Sequence, residues 1–290
     1  MTTACLASAL PAATAREWAL VLEAVGVPYR LERSPAGAAL WVDPMDHARA
    51  ADELGRYLRE NRGRPAPPLS WPVYRHAGWG VAAYAVILVL VMAAALYRVG
   101  DRNWVNRGVL ETGILHATEW WRVFTALTLH ANLPHLLGNI AFGVIFAYPA
   151  SQFVGVGIAW LAIVLGAGSA NALDMLLHPP GQEVLGASTA VFVALGLASA
   201  FSWRRRTTGS LTWRQRLAPL VAGVALLAFT GTGGEHTDVL AHLLGFGVGV
   251  GSGFALAHLP LPAPARAVPQ WIAGALALGI LAAAWLAALQ

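Results

Sequence analysis

Between Arg122 and Asp174 the chain runs for 51 residues without an Asp, Glu, Lys or Arg. About 20 apolar residues already cross the hydrocarbon core of a bilayer. The stretch is therefore read as two membrane spans joined by a short turn, expected near Pro149–Gln152. Uncharged runs also occupy Ala77–Tyr97, Val184–Trp203, Leu217–Gly234, about Val239–His258, and Trp271–Leu289. That pattern predicts seven spans.

The charges are gathered at one end. Only 12% of the residues are charged, against about 25% in an ordinary soluble domain. Residues 1–75 nevertheless hold nine Arg and eight acidic residues. A small soluble domain followed by a polytopic membrane domain accounts for both facts. The net charge of +4 is no nucleic-acid signal, because the basic residues mark loop ends between apolar runs. A single cysteine, Cys5, excludes an internal disulfide and a cysteine-ligated metal cluster. Residues 4–10 are apolar, but no basic residue precedes them and Pro11 interrupts the run, so no signal peptide is expected.

The leading segment reads as an α/β unit. Residues 15–25 have helical apolar spacing and stop at Gly26, and 28–33 and 38–42 read as strands around a Pro35–Gly37 turn. Asp43-Pro44 is expected to start a second helix that runs to about Asn61. A proline-rich linker follows. The unit contains no glycine-rich phosphate loop and no paired catalytic groups, which fits an accessory domain.

Loop charges give the orientation. Residues 204–216 carry five Arg and no acid, so this loop is expected in the cytoplasm. Counting spans from there puts the N-terminus in the cytoplasm and the C-terminus outside.

Polar side chains inside spans are costly unless partnered, and so become candidates for function. The set is His130, His135, Asn139, Ser188 and His242. His135 and Asn139 lie early in the second span, Ser188 about one turn into the fourth, and His242 about one turn into the sixth. All three spans run inward, which places these residues at similar depth in the outer leaflet. Ser188, Phe192, Gly196 and Ala200 form one helical stripe, and His242, Gly245, Gly249 and Gly253 form another. Small-residue stripes let membrane helices approach closely. Packing along them would bring Ser188 and His242 together near the outer end.

The chemistry of such a set is nucleophilic acyl transfer. A serine hydroxyl is a poor nucleophile until an imidazole takes its proton. The oxyanion that follows needs fixed donors, which His135, Asn139 and a backbone N–H could supply. Asp238 lies one turn before His242 and could orient it, but its place in an outer loop favours a solvated role. No His-Glu-x-x-His occurs, and no two spans each carry a central Asp, so metalloprotease and aspartyl mechanisms are not expected. No metal or other cofactor is required.

Four segments together resemble the rhomboid family of intramembrane serine proteases. They are Glu119-Trp120-Trp121-Arg122, the run from His130 to Asn139 with Pro134 inside it, Gly186-Ala187-Ser188 with Phe192 and Gly196, and Ala241-His242-Leu243-Leu244-Gly245 with Gly249. The resemblance covers about residues 76–258 and departs at Thr189, where the family often has glycine. It implies a Ser188–His242 dyad with Ser188 as nucleophile and His242 as general base, and no third acid. It further implies an oxyanion hole from His135, Asn139 and the Ser188 backbone, with His130 nearby. Phe192 is implied to pack on the His242 ring, and Trp121-Arg122 to anchor the first outer loop in the membrane interface. Gly186, Gly245 and Gly249 are assigned structural roles.

The expected fold is an all-α polytopic membrane helix bundle, a rhomboid-like six-helix core plus a C-terminal seventh span, with a small N-terminal α/β domain. The boundaries are 1–62 for the cytoplasmic domain, 63–75 for the linker, 76–258 for the protease core, and 259–290 for a linker and the seventh helix. The expected function is endoproteolysis of single-span transmembrane proteins near the outer face of the bacterial inner membrane. The expected partners are those substrates and the lipid bilayer, with no nucleic acid. The alternative is a catalytically inactive rhomboid-like protein that binds membrane helices. Loss of Ser188 or His242 would have favoured it, and both are present.

Overall fold

The computed structural model describes residues 3–34, 37–61, 74, 76–112, 119–206, 212–230, 238–261 and 267–290. The chain divides into two units, Met1–Pro65 and Ala66–Gln290.

The first unit is built from β1 (Ala4–Leu10), α1 (Ala12–Ala24), β2 (Tyr29–Ser34), β3 (Gly37–Val42) and α2 (His47–Glu60). The sheet is antiparallel in the order β1-β3-β2. Along β3, Ala38, Leu40 and Val42 are buried and alternate with more exposed residues. This is the period-two pattern of a strand with one covered face. Val42 packs in a core with Leu22, Val27, Ala50 and Leu54. Two features differ from the sequence reading. Residues 4–10 form the edge strand β1, whose register with β3 shifts twice and so leaves no clean alternation to read. Asp43 does not cap α2. Its Oδ1 accepts from the Met45 N–H at 2.9 Å in a preceding turn, and the helix begins after Asp46.

The second unit contains α3 (Ala77–Leu96), α4 (Trp104–Gly108), β4 (Leu110–Glu111), α5 (Arg122–Thr125), α6 (Leu133–Val154), α7 (Val156–Leu177) and β5 (Glu183–Val184). It continues with α8 (Ser188–Arg206), α9 (Trp213–Thr230), α10 (Val239–His258) and α11 (Val268–Ala288). Five of these helices, α3, α6, α7, α10 and α11, are long and apolar enough to cross a membrane. The other two expected spans are also helical. One of them, α8, packs against α6, α7, α9 and α10. It buries Val193, Leu197, Ala200 and Phe201, so lipid sets little of its composition.

The α6–α7 turn does not fall at Pro149–Gln152. Helix α6 continues through Pro149 to Val154, and the chain turns at Gly155, whose φ is +92°. Proline deletes one backbone donor without ending a packed membrane helix, whereas a positive φ suits glycine. The start of α11 is fastened here. Gln270 donates from Nε2 to the Val154 carbonyl at 3.1 Å and accepts the Ile158 N–H at 3.1 Å. At the other end of α11, Trp285 Nε1 donates to Thr128 Oγ1 at 3.0 Å, and its ring lies tilted against Trp104 with centroids 4.8 Å apart. Helix α11 therefore runs parallel to α7, with its C-terminal end beside the loop that leads into α6.

Candidate active site

Three segments converge at that end of the bundle. The first comprises residues 98–112 and 119–132 of the loop that leads into α6. Arg122 holds Glu119 at 2.8 Å and donates to the carbonyls of Asn106 and Val109 at 3.0 and 2.6 Å. Trp121 Nε1 donates to the Arg107 carbonyl at 3.2 Å. These hydrogen bonds tie the loop to itself, and Trp121 also packs in a cluster with Val91, Leu129 and Trp285. Trp120, half exposed, is the more outward of the two tryptophans.

The second segment, residues 178–187, is stitched to the first. Strands β4 and β5 pair antiparallel, Leu110 with Val184 and Glu111 with Glu183. The fully buried Thr112 donates from Oγ1 to the Pro179 carbonyl at 2.6 Å and accepts the Gln182 N–H at 3.0 Å. The Gly186 N–H donates to the Ala126 carbonyl at 2.9 Å. This pairing takes up Glu183–Val184, so α8 begins at Ser188 and not four residues earlier. Ser188 is therefore the first residue of its helix, where the opening N–H groups lack partners within the helix and the dipole favours negative charge.

The third element is the start of α6. Asn132 caps it, its Oδ1 accepting from the His135 N–H at 2.9 Å. That places His135 in the first turn and Asn139 one turn further. Gly186 sits against both. A Cβ there would meet His135 Nε2 at 2.8 Å and Asn139 Nδ2 at 3.4 Å, and Gly186 has φ +130°. Asn139 is buried, and among the described residues its Nδ2 has no acceptor. The Asn139 carbonyl takes the Tyr84 hydroxyl at 2.7 Å, which fixes this turn of α6 to α3. His130 is buried with its ring 5.1 Å from that of His135. Burial, then the neighbouring His135, hold its pKa below the ordinary imidazole value.

His242 comes to this group on α10. Asp238 caps that helix, its Oδ1 accepting from the Ala241 N–H at 2.9 Å. Helices α8 and α10 make the most extensive helix contact in the bundle. Cβ atoms at Gly245, Gly249 and Gly253 would run into the carbonyls of Thr189, Val193 and Leu197 respectively. Both sets advance by four residues in the same direction, so the helices are parallel and in close backbone contact. The face of α8 that meets these glycines lies one residue on from the expected Ser188–Phe192 stripe, with Gly196 shared between them. At the top of the seam the buried His242 ring lies 4.4 Å from that of Phe192. Ser188 precedes Phe192 by one turn on the same face of α8.

Thr189 is buried, with its carbonyl and methyl against Gly245, so its side chain fills the seam. Sequence reasoning does not single out Tyr84, Thr112, Gln270 and Trp285. Tyr84 and Gln270 are polar groups in apolar runs, and that fact alone is a usable signal. Thr112 carries no such signal.

Residues 117–259 match the rhomboid domain. The chain belongs to the rhomboid family. It is 26% identical over 199 residues to Rhomboid-like protease 3 of Toxoplasma gondii, a match covering 66% of this chain and 72% of that one. It is 31% identical to RHOMBOID-like protein 1 of Arabidopsis thaliana over 46% of this chain and 33% of the relative. It is 28% identical to the putative rhomboid protease YdcA of Bacillus subtilis over 44% of this chain and 62% of that one. The last two matches span less than two thirds of the relatives' length. With its five apolar spans, this rhomboid family member is a multi-pass membrane protein.

Proposed function

We propose that the chain is an intramembrane serine endopeptidase using Ser188 and His242. The observation that carries this reading is the parallel, glycine-lined seam of α8 and α10, which sets the His242 ring against Phe192 one turn from Ser188. In the proposed reaction His242 takes the Ser188 proton as Oγ attacks the scissile carbonyl. The oxyanion is met by the unpartnered Nδ2 of Asn139, by His135 and by the first N–H groups of α8. His242 then gives its proton to the leaving amine. Water, activated by the same imidazole, releases the acyl group and restores the hydroxyl.

Substrates are proposed to be single-span proteins entering from the bilayer. A hydrogen-bonded helix hides its carbonyls, so local unwinding must precede attack. The arginine-rich segment 204–216 supports a cytoplasmic N-terminus, an outward-facing site and an outward C-terminus. Placement in a bacterial inner membrane is part of the same proposal. Residues 1–62 are proposed as a cytoplasmic accessory domain, 63–75 and the start of 259–290 as linkers, and 76–258 as the protease core.

The test is a serine-reactive fluorophosphonate applied to the purified protein, with the adduct located by peptide mapping. The expected adduct is on Ser188 and is lost in His242→Ala. Ser188→Ala should abolish cleavage of a transmembrane substrate while retaining the fold. Proteolysis at the wild-type rate in Ser188→Ala would end this reading. A Ser188 that never labels, with a substrate helix still bound, would establish the inactive helix-binding alternative.

A further inference from the structure

A cluster outside the proposed dyad has donors of the kind that hold a divalent metal. Asp174 lies in the last turn of α7, His178 follows one turn later, and Asp238 is the N-cap of α10. His178 Nδ1 lies 3.0 Å from Asp174 Oδ1 and 3.7 Å from Asp238 Oδ2. One ligand atom from each residue falls within 4.8 Å of the other two. Ligands about 2.1 Å from a tetrahedral ion stand roughly 3.4 Å apart, so these separations bracket a shared coordination sphere.

The second observation concerns Asp174 itself. Its side chain is fully buried, and among the described residues Oδ2 has no N–H or hydroxyl donor. A buried carboxylate oxygen beside a second carboxylate is costly without a positive partner. The imidazole of His178 meets only Oδ1 at hydrogen-bonding distance. Asp238 divides its oxygens: Oδ1 caps α10, while Oδ2 faces His178. The side chains of His178 and Asp238 are each 20% exposed, so an ion could enter from solvent and keep water as a fourth ligand.

We propose that Asp174, His178 and Asp238 form a binding site for a borderline divalent cation of the zinc class. One imidazole and two carboxylates suit that class better than magnesium or calcium, which take oxygen ligands. The ion would join the outer end of α7 to the first turn of α10, one turn before His242, and would act structurally. The inference does not depend on the hydrolytic reading.

The test uses the full chain in detergent, stripped with EDTA and titrated with Zn2+ at low micromolar concentration. One equivalent should remain after desalting, with protons released on binding and a higher Tm. Mg2+ at the same concentration should do neither. His178→Gln and Asp174→Asn should each weaken zinc binding at least about tenfold, since even outer-shell losses cost that much. His47→Gln, in the other unit, should leave it unchanged. Should Asp174→Asn fail to fold, the partly exposed His178 still gives the answer. Zinc that stays unbound, or binding that His178→Gln leaves intact, overturns the proposal. A cluster held together by a proton alone gives the first of those results.

Discussion

The Phe192 and His242 rings lie 4.4 Å apart, centroid to centroid, across two parallel helices whose backbones nearly touch. The relationship has an energetic side and a positional one. Aromatic contacts of this kind contribute about 0.5–1.5 kcal/mol beyond area burial. The same contact also limits how the imidazole can turn toward Ser188.

Phe192→Leu separates those two effects. Leucine keeps an apolar group in the seam but removes the flat face beside His242. Turnover should fall by up to about 100-fold, the cost of misplacing a reacting group by about 1 Å, while KM stays near wild type. Steady-state kinetics with a transmembrane substrate, alongside Tm, reads both. A lowered Tm with unchanged kcat would mean that the ring packs without orienting His242.

Asn139→Ala removes a buried donor that has no acceptor among the described residues. Loss of one oxyanion donor typically costs roughly 10²–10³ in rate, and kcat should carry the loss. Tyr84→Phe should act in the same direction but more weakly. It deletes the hydroxyl bond to the Asn139 carbonyl, and a bond worth about 1 kcal/mol corresponds to less than tenfold. If KM rises in Asn139→Ala while kcat holds, Asn139 belongs to substrate binding instead.

His130 predicts a pH dependence of stability. Its folded-state pKa is depressed, first by burial and then by His135. The unfolded chain takes up this proton near the ordinary value of about 6.5, whereas the folded chain does so only at lower pH. Below that value the unfolded state binds more protons, so stability falls as pH falls. Thermal unfolding in detergent should show Tm dropping from about pH 7 toward pH 5, with a shallower drop in His130→Phe. Identical slopes would assign the dependence to other groups.

Much of this arrangement is legible from charge and period. The long uncharged runs place the spans, because lipid excludes charge whatever the tertiary contacts. The four-residue spacing of Gly245, Gly249 and Gly253 marks the α10 face, because only glycine admits a carbonyl from a neighbouring helix. Local periodicity cannot locate the start of α8. Val184 opens the uncharged run that continues into the span, and only pairing of Glu183 and Val184 with Glu111 and Leu110, more than 70 residues away, draws them into a strand. The turn at Gly155 escapes the sequence for a similar reason. Pro149 looks like the breaker, but the side chain of Gln270 from a distant helix occupies the space where a Cβ at Gly155 would go.

Gly249→Val tests the seam itself. A Cβ at Gly249 would collide with the Val193 carbonyl, so any side chain must push α10 from α8. At neighbouring Gly247 and Gly251 an added Cβ would meet nothing within 4 Å, which makes them internal controls on the same helix. Overpacking typically costs about 1–3 kcal/mol. Gly251→Ala should be neutral, or stabilise by up to about 1 kcal/mol through helix propensity. Gly249 lies two turns below His242, too deep to touch a scissile bond, so any loss of turnover must come through helix position. The expected result is a joint fall in Tm and kcat for Gly249→Val, with Gly251→Ala retaining both. A Gly249→Val protein that loses Tm but cleaves at the wild-type rate would uncouple the seam from the dyad. Ser188 and His242 would then have to be held together by the loops above it.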